Sequence, residues 1–146
     1  MNLLGVLDIS GSALTAERIR AEVIAVNMAN AETTKTPEGG PYRRREVVFM
    51  AEPSNTVGTF RSIMQSSGIP GGVSVSAVVD SSGDPMKRYD PHHPDADKDG
   101  YVSYPDINPL TEMVDLMDAS RAYTMNVSAV QAEKSMITSS LEIGRS

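Results

Sequence analysis

Cysteine and tryptophan are both absent from the 146 residues, and there are only five tyrosines and two phenylalanines. Without Cys there can be no disulfide framework, no thiolate metal site and no Cys nucleophile. The two histidines, His92 and His93, are adjacent in a loop between Pro91 and Pro94. Neighbouring side chains in an extended segment point to opposite sides, so this pair is a poor chelate, and it leaves no histidine for a Ser-His-Asp set elsewhere. Basic residues are outnumbered 13 to 19, for a net charge of −6. That balance excludes the broad basic face that phosphate backbones require. The one basic run, Arg43-Arg44-Arg45, is diluted by Glu38 and Glu46. Gly39-Gly40 and Gly71-Gly72 are followed neither by Lys-Ser/Thr nor by a helix pattern, so no phosphate cradle is implied. No acid–base pair or nucleophile can be located. The expectation is a protein that is not an enzyme and needs no cofactor.

Long apolar runs are missing too. The longest uncharged window in the first helical zone, Val23 to Ala31, falls far short of the ~20 apolar residues of a membrane span. The opening Met1-Asn2-Leu3-Leu4-Gly5 lacks the basic n-region of a secretory leader. A soluble protein is expected and, if it works outside the cytoplasm, one that leaves without signal cleavage.

Proline divides what remains. Eight of the nine prolines lie between 37 and 105, whereas 4–31 has none and Pro109 is followed by none. The spacing predicts three segments: a helical arm over 1–36, a β-rich insert over 37–105 and a second helical arm over 106–146. In the first arm Ile9, Ser12, Ala16, Ile19, Val23 and Val26 recur at coiled-coil spacing, with Leu14, Ala21 and Met28 on the far side. In the last, Met113, Leu116, Ser120, Tyr123, Val127, Val130, Lys134, Ile137 and Leu141 form a longer row. Leu110, Val114, Met117, Met125, Ala129, Ala132 and Met136 lie off it. Asn108 and Pro109 suit the start of this helix and Gly144 its end. The fold expected is mainly α with a small β insert, its terminal helices packed as a coiled-coil-like pair.

Two helices cover only one side of each other, so the second rows need other subunits, and large exposed apolar patches mark such contacts. The expected subunit-interface residues are Ile9, Ile19, Val23, Val26, Met113, Leu116, Tyr123, Val127, Val130, Ile137 and Leu141. Asn27 and Asn30 join them, either fixing register as a buried Asn does in coiled coils or ending the helix.

In the insert, Glu46–Met50 and Gly72–Asp80 are β-rich, the second alternating Val73, Val75, Ala77 and Val79 with Ser74 and Ser76. Turn signals stand at 37–41, 69–72 and 80–85. Asp95, Asp97 and Asp99, then Gly100, Tyr101 and finally Asp106, follow calcium-loop spacing. Position 12 is the short Asp106 behind Pro105, and Pro91-His92-His93-Pro94 cannot supply an entering helix. A plain turn or hairpin is the stronger expectation. A calcium-responsive binding module using this loop is the competing function.

Ile9-Ser10-Gly11-Ser12-Ala13-Leu14, Arg18, and Ala25-Val26-Asn27-Met28-Ala29-Asn30-Ala31-Glu32-Thr33-Thr34 resemble the N-terminal signature of the bacterial flagellar basal-body rod family. Thr36-Pro37-Glu38-Gly39-Gly40-Pro41-Tyr42-Arg43-Arg44, Tyr89-Asp90-Pro91, Gly100-Tyr101-Val102 and Asn108-Pro109-Leu110-Thr111-Glu112-Met113 resemble its proximal-rod branch. Ser120-Arg121-Ala122-Tyr123 with Asn126, Lys134 and Leu141-Glu142-Ile143-Gly144 is similar to the rod C-terminal helix. The resemblance implies a structural subunit whose terminal helices build a torque-carrying tube around an export channel, in the periplasm-spanning rod. It implies as partners the other proximal-rod proteins (FlgB, FlgF and a FliE-like adaptor), the distal rod and the flagellar type III export apparatus.

Overall fold

The structure, a computed structural model, describes residues 3–52 and 71–144. Part of the turn signal at 69–72 falls outside them. Two helices enclose four strands in the chain order α1 (Leu3–Ala29), β1 (Arg45–Ala51), β2 (Val73–Asp80), β3 (Met86–Tyr89), β4 (Tyr101–Tyr104) and α2 (Pro109–Ile143). The architecture is mainly α with a small β region, as the proline distribution implies.

Helix α2 begins where proline is harmless, since the first-turn N–H groups have no intrahelical partner. The Asn108 side chain accepts the free N–H of Leu110 at 3.0 Å. Gly144 closes the far end at φ −74°, so it makes no use of glycine's left-handed freedom. At 1.5 Å per residue α1 is about 40 Å long and α2 about 52 Å. They pack against each other. Asn27 near the end of α1 bonds Glu112 near the start of α2, so the pair is antiparallel. The longer helix overhangs the described part of its partner, and Leu141 and Ile143 stand in the open.

The buried positions are Ser10, Ala16, Ile24 and Asn27 on α1, and Glu112, Ala119 and Glu133 on α2. On α2 these lie one residue ahead of Met113, Ser120 and Lys134, three members of the apolar row. Apart from Ile24 and Glu133, small or hydrogen-bonded side chains occupy these positions, and most of the larger apolar ones are half-buried or exposed.

The strands form two antiparallel ladders, β1–β2 and β3–β4. In the first, Arg45 opposes Asp80 and Ala51 opposes Val73, with a bulge between Val48 and Phe49. The bulge inverts the alternation read from sequence, and neither face becomes a core: Val48, Phe49, Met50, Val78 and Val79 all stay exposed. In the second, Met86 opposes Tyr104 and Tyr89 opposes Tyr101. Tyr89 and Tyr101 meet edge to face at 5.3 Å. Val102, Pro105 and Ile107 are buried beneath this ladder and lead directly into α2.

Candidate functional site: the base of the helix pair

The most closely knit polar cluster in the described residues lies where α1, β1 and α2 converge. Asn27 is 1% exposed and uses every hydrogen-bonding capacity of its carboxamide. Its Nδ2 donates to the Arg45 carbonyl at 2.9 Å and to Glu112 Oε2 at 3.2 Å. Its Oδ1 accepts the Arg45 backbone N–H at 2.9 Å and the Tyr42 hydroxyl at 3.1 Å. Glu112, also 1% exposed, accepts Arg44 Nε at 2.6 Å through its other oxygen. Arg44 reaches onward to Glu46 and, at 3.6 Å, to Asp115.

Electrostatics follow from this geometry. The hydrogen bond that Arg44 donates to Glu112 raises the Arg44 pKa against the opposing effect of burial, so the guanidinium is permanently charged. Burial raises the Tyr42 phenol, the Arg45 cation pulls it back, and Asp80 and Glu112 push it up again. Arg45 stacks over the Tyr42 ring at 5.8 Å and lies 3.5 Å from Asp80. A partly desolvated ion pair of this kind fixes geometry; it supplies neither a nucleophile nor a proton shuttle.

Asn30 plays a different part from Asn27. Its side-chain Nδ2 caps the Val26 carbonyl at 2.9 Å, and its Oδ1 accepts the Thr33 hydroxyl at 3.2 Å. It ends the helix. Of the two roles open to this pair, buried partner and terminator, each residue takes one.

The other residues singled out from the sequence fall into two groups. Ile9, Ile19, Val23, Leu116, Val127, Val130 and Ile137 are half-buried along the helix pair. Val26, Met113, Tyr123 and Leu141 are exposed. Exposed with them are Leu110, Val114, Met117, Met125 and Met136, so α2 carries an apolar surface along most of its length.

The aspartate loop is a self-contained turn joining β3 to β4. Asp97 Oδ1 accepts the backbone N–H groups of Asp99 and Tyr101, both at 2.9 Å. Gly100 adopts φ +79°, which glycine reaches without strain. Asp95 accepts the Thr34 hydroxyl at 2.7 Å, tying the loop to the exit of α1. The His93 ring accepts the Asp95 N–H at 3.1 Å. Among the described residues no three His, Asp or Glu side chains converge as a metal group. The Asp97 carboxylate is committed to the turn and the Asp95 carboxylate to Thr34.

Comparison with known proteins accounts for both arms. The family model for flagella basal body rod proteins matches residues 7–35, and that for the C-terminal region of flagellar basal body rod FlgEFG proteins matches 98–143. The flagellar basal-body rod protein FlgC of Borreliella burgdorferi is 41% identical over 150 residues, spanning 98% of each chain. That of Bacillus subtilis is 42% identical over 144 residues, covering 95% of this chain and 96% of its own. That of Escherichia coli O6:H1 is 39% identical over 145 residues, covering 99% and 100%. The chain belongs to the FlgC family of flagellar basal-body rod proteins. It is a structural protein of the basal body, not an enzyme, and it assembles with other rod proteins. No helix among the described residues is long and apolar enough to cross a membrane.

Three residues of the cluster, Tyr42, Arg44 and Glu112, were not singled out as site residues from the sequence. A periodicity search looks for apolar residues, and a buried Glu in helical phase looks the same as a solvated one. The available signal was an odd one: Glu112 directly precedes the apolar row it belongs beside.

Proposed function

We propose that this chain is a wall subunit of the proximal rod, in which α1 and α2 pair in coiled-coil fashion and the pair lies against the helix pairs of neighbouring subunits. The supporting observation is the apolar surface of α2, where Leu110 is 70% and Met125 68% exposed with no strand packed on the helix. A face of this kind costs solvation free energy in the free subunit and repays it on assembly. The three sequence segments are then two arms that build a tube and an insert carried on them. Ile9, Ile19, Val23, Val26, Asn30, Met113, Leu116, Tyr123, Val127, Val130, Ile137 and Leu141 belong to the contacts that hold the tube together, and Asn27, 1% exposed, supports them from within the subunit. FlgB, FlgF, a FliE-like adaptor and the distal rod are the proposed neighbours, the flagellar type III apparatus the route of export, and motor torque the load carried.

Val127→Asp and Met117→Glu test this by placing charge on α2 without touching the polar cluster. Each is expected to leave the chain at normal abundance and to abolish its incorporation into purified basal bodies. Normal incorporation and swimming in both would overturn the proposal.

A further inference from the structure

The β1–β2 ladder has almost no core to hold it, yet it occupies a defined place. It lies on α1, which packs against both of its strands. Its large apolar side chains are exposed on both faces, so burial alone does not fix its azimuth around the helix. Two side chains of α1 do so instead. At one end Asn27 pairs with both the N–H and the C=O of Arg45, the first residue of β1. At the other the Ser12 hydroxyl donates to its own helix at the Ile9 carbonyl, 2.8 Å, and accepts the N–H of Val73, the first residue of β2, at 3.0 Å.

Because the ladder is antiparallel, Arg45 and Val73 mark its opposite ends. Fifteen residues of helix separate Ser12 from Asn27, about 22 Å. Six steps of strand separate Arg45 from Ala51, the partner of Val73, about 20 Å. The helix thus carries fastenings at the spacing of the ladder's ends. The chain approaches so closely at the Ser12 end that a Cβ on Gly72 would lie 2.0 Å from Ser12 Oγ and 2.8 Å from its Cβ. Gly72 is required there by proximity, not by a left-handed backbone.

We propose that Ser12 and Asn27 are positioning residues that fasten the β1–β2 ladder along α1, setting the angle at which the insert is presented to neighbouring subunits in the rod. Presentation to neighbours rests on the wall-subunit reading; the fastening itself does not. Both residues act through backbone groups of the ladder and need no contact with another subunit.

A suppressor pair tests this in the full chain, in cells. Gly72→Ala is expected to lower incorporation into basal bodies by at least about tenfold, because the new methyl cannot coexist with the Ser12 side chain. Adding Ser12→Gly removes both clashing atoms but also the fastening hydroxyl, so incorporation is expected to rise only to the level of Ser12→Gly alone, itself a few-fold below wild type. Val127→Asp is expected not to be suppressed by Ser12→Gly. Full tolerance of Gly72→Ala, full tolerance of Ser12→Gly, or failure of Ser12→Gly to raise the incorporation of Gly72→Ala would each overturn the fastening. Normal incorporation of both Val127→Asp and Met117→Glu would overturn the wall reading alone.

Discussion

Asn27 and Arg45 bond as two strands do: the carboxamide of one meets the backbone N–H and C=O of the other, both at 2.9 Å. A side-chain amide has the same donor and acceptor as a peptide unit, so it can stand in for a missing strand. Among side chains of this length only Asn offers both. Asp cannot donate, and Gln carries an extra methylene that the 1% exposure of the site leaves no room for.

Asn27→Asp is the most informative change at this site. It removes the donor to Arg45 and sets a carboxylate against Glu112 Oε2, now 3.2 Å from the amide. A stability loss of about 2–5 kcal/mol is expected from the lost bonds and like-charge contact. Repulsion from Glu112 raises the pKa of the new carboxyl in the folded state, so its protonation relieves the defect at low pH. The deficit relative to wild type should therefore shrink as pH falls toward 5, a trend that denaturant melts at several pH values would show. A deficit independent of pH would mean that the two carboxylates do not meet.

Tyr42 makes a prediction at the opposite end of the pH scale. Its pKa is raised above the ordinary 10.0, chiefly by burial. A phenol held neutral by the fold contributes stability that is complete below the unfolded pKa and is lost as pH rises through the folded one. Stability should thus begin to fall above about pH 10, together with the rise of phenolate absorbance. Tyr42→Phe removes the bond to Asn27 Oδ1 at a cost of about 1 kcal/mol near neutrality, and its alkaline limb should be shallower. An unchanged alkaline limb would show that Tyr42 titrates freely.

The two arms were legible because proline and glycine are absent over long stretches and because Asn108, Pro109 and Gly144 mark the ends of α2. The face by which α2 meets α1 was not. Ala119 and Glu133 are buried where Ser120 and Lys134 interrupt the apolar row; a tight approach favours the small Ala119, whereas no apolar pattern marks a buried Glu133. The ladder positions were beyond reach for another reason. Ser12 and Val73 lie 61 residues apart, and nothing local marks a serine that will accept a strand N–H. The β3–β4 ladder was covered only by the expectation of a turn or hairpin at the aspartate loop, because four-residue strands leave too little alternation to read.

Gly100 tests whether that loop is built as a turn. An added Cβ would lie 2.9 Å from the Tyr89 ring and would have to tolerate φ +79°. Gly100→Ala is expected to cost about 1–3 kcal/mol and to disturb the Tyr89–Tyr101 contact, visible in near-ultraviolet circular dichroism. Asp97→Ala should cost about 1–2 kcal/mol by releasing two N–H groups. Neither loss should depend on whether calcium or a chelator is present. Stabilisation of the wild-type chain by calcium would contradict the turn assignment.

Glu133 is the buried residue whose removal should help. It is 6% exposed, and its Oε2 has no hydrogen-bond partner among the described residues. A charged oxygen in that condition bears its desolvation cost without return. Met occupies a similar volume, has comparable helix propensity and carries no charge, so Glu133→Met tests the cost with little else altered. The variant is expected to gain about 1–2 kcal/mol, which for a chain of this size raises the thermal midpoint by roughly 3–8 °C. Glu142→Met, at an exposed position on the same helix, should leave the midpoint nearly unchanged. A lower midpoint for Glu133→Met would mean that the carboxylate is paired in solution and that the half of the helix pair remote from the Asn27 cluster relies on that pairing.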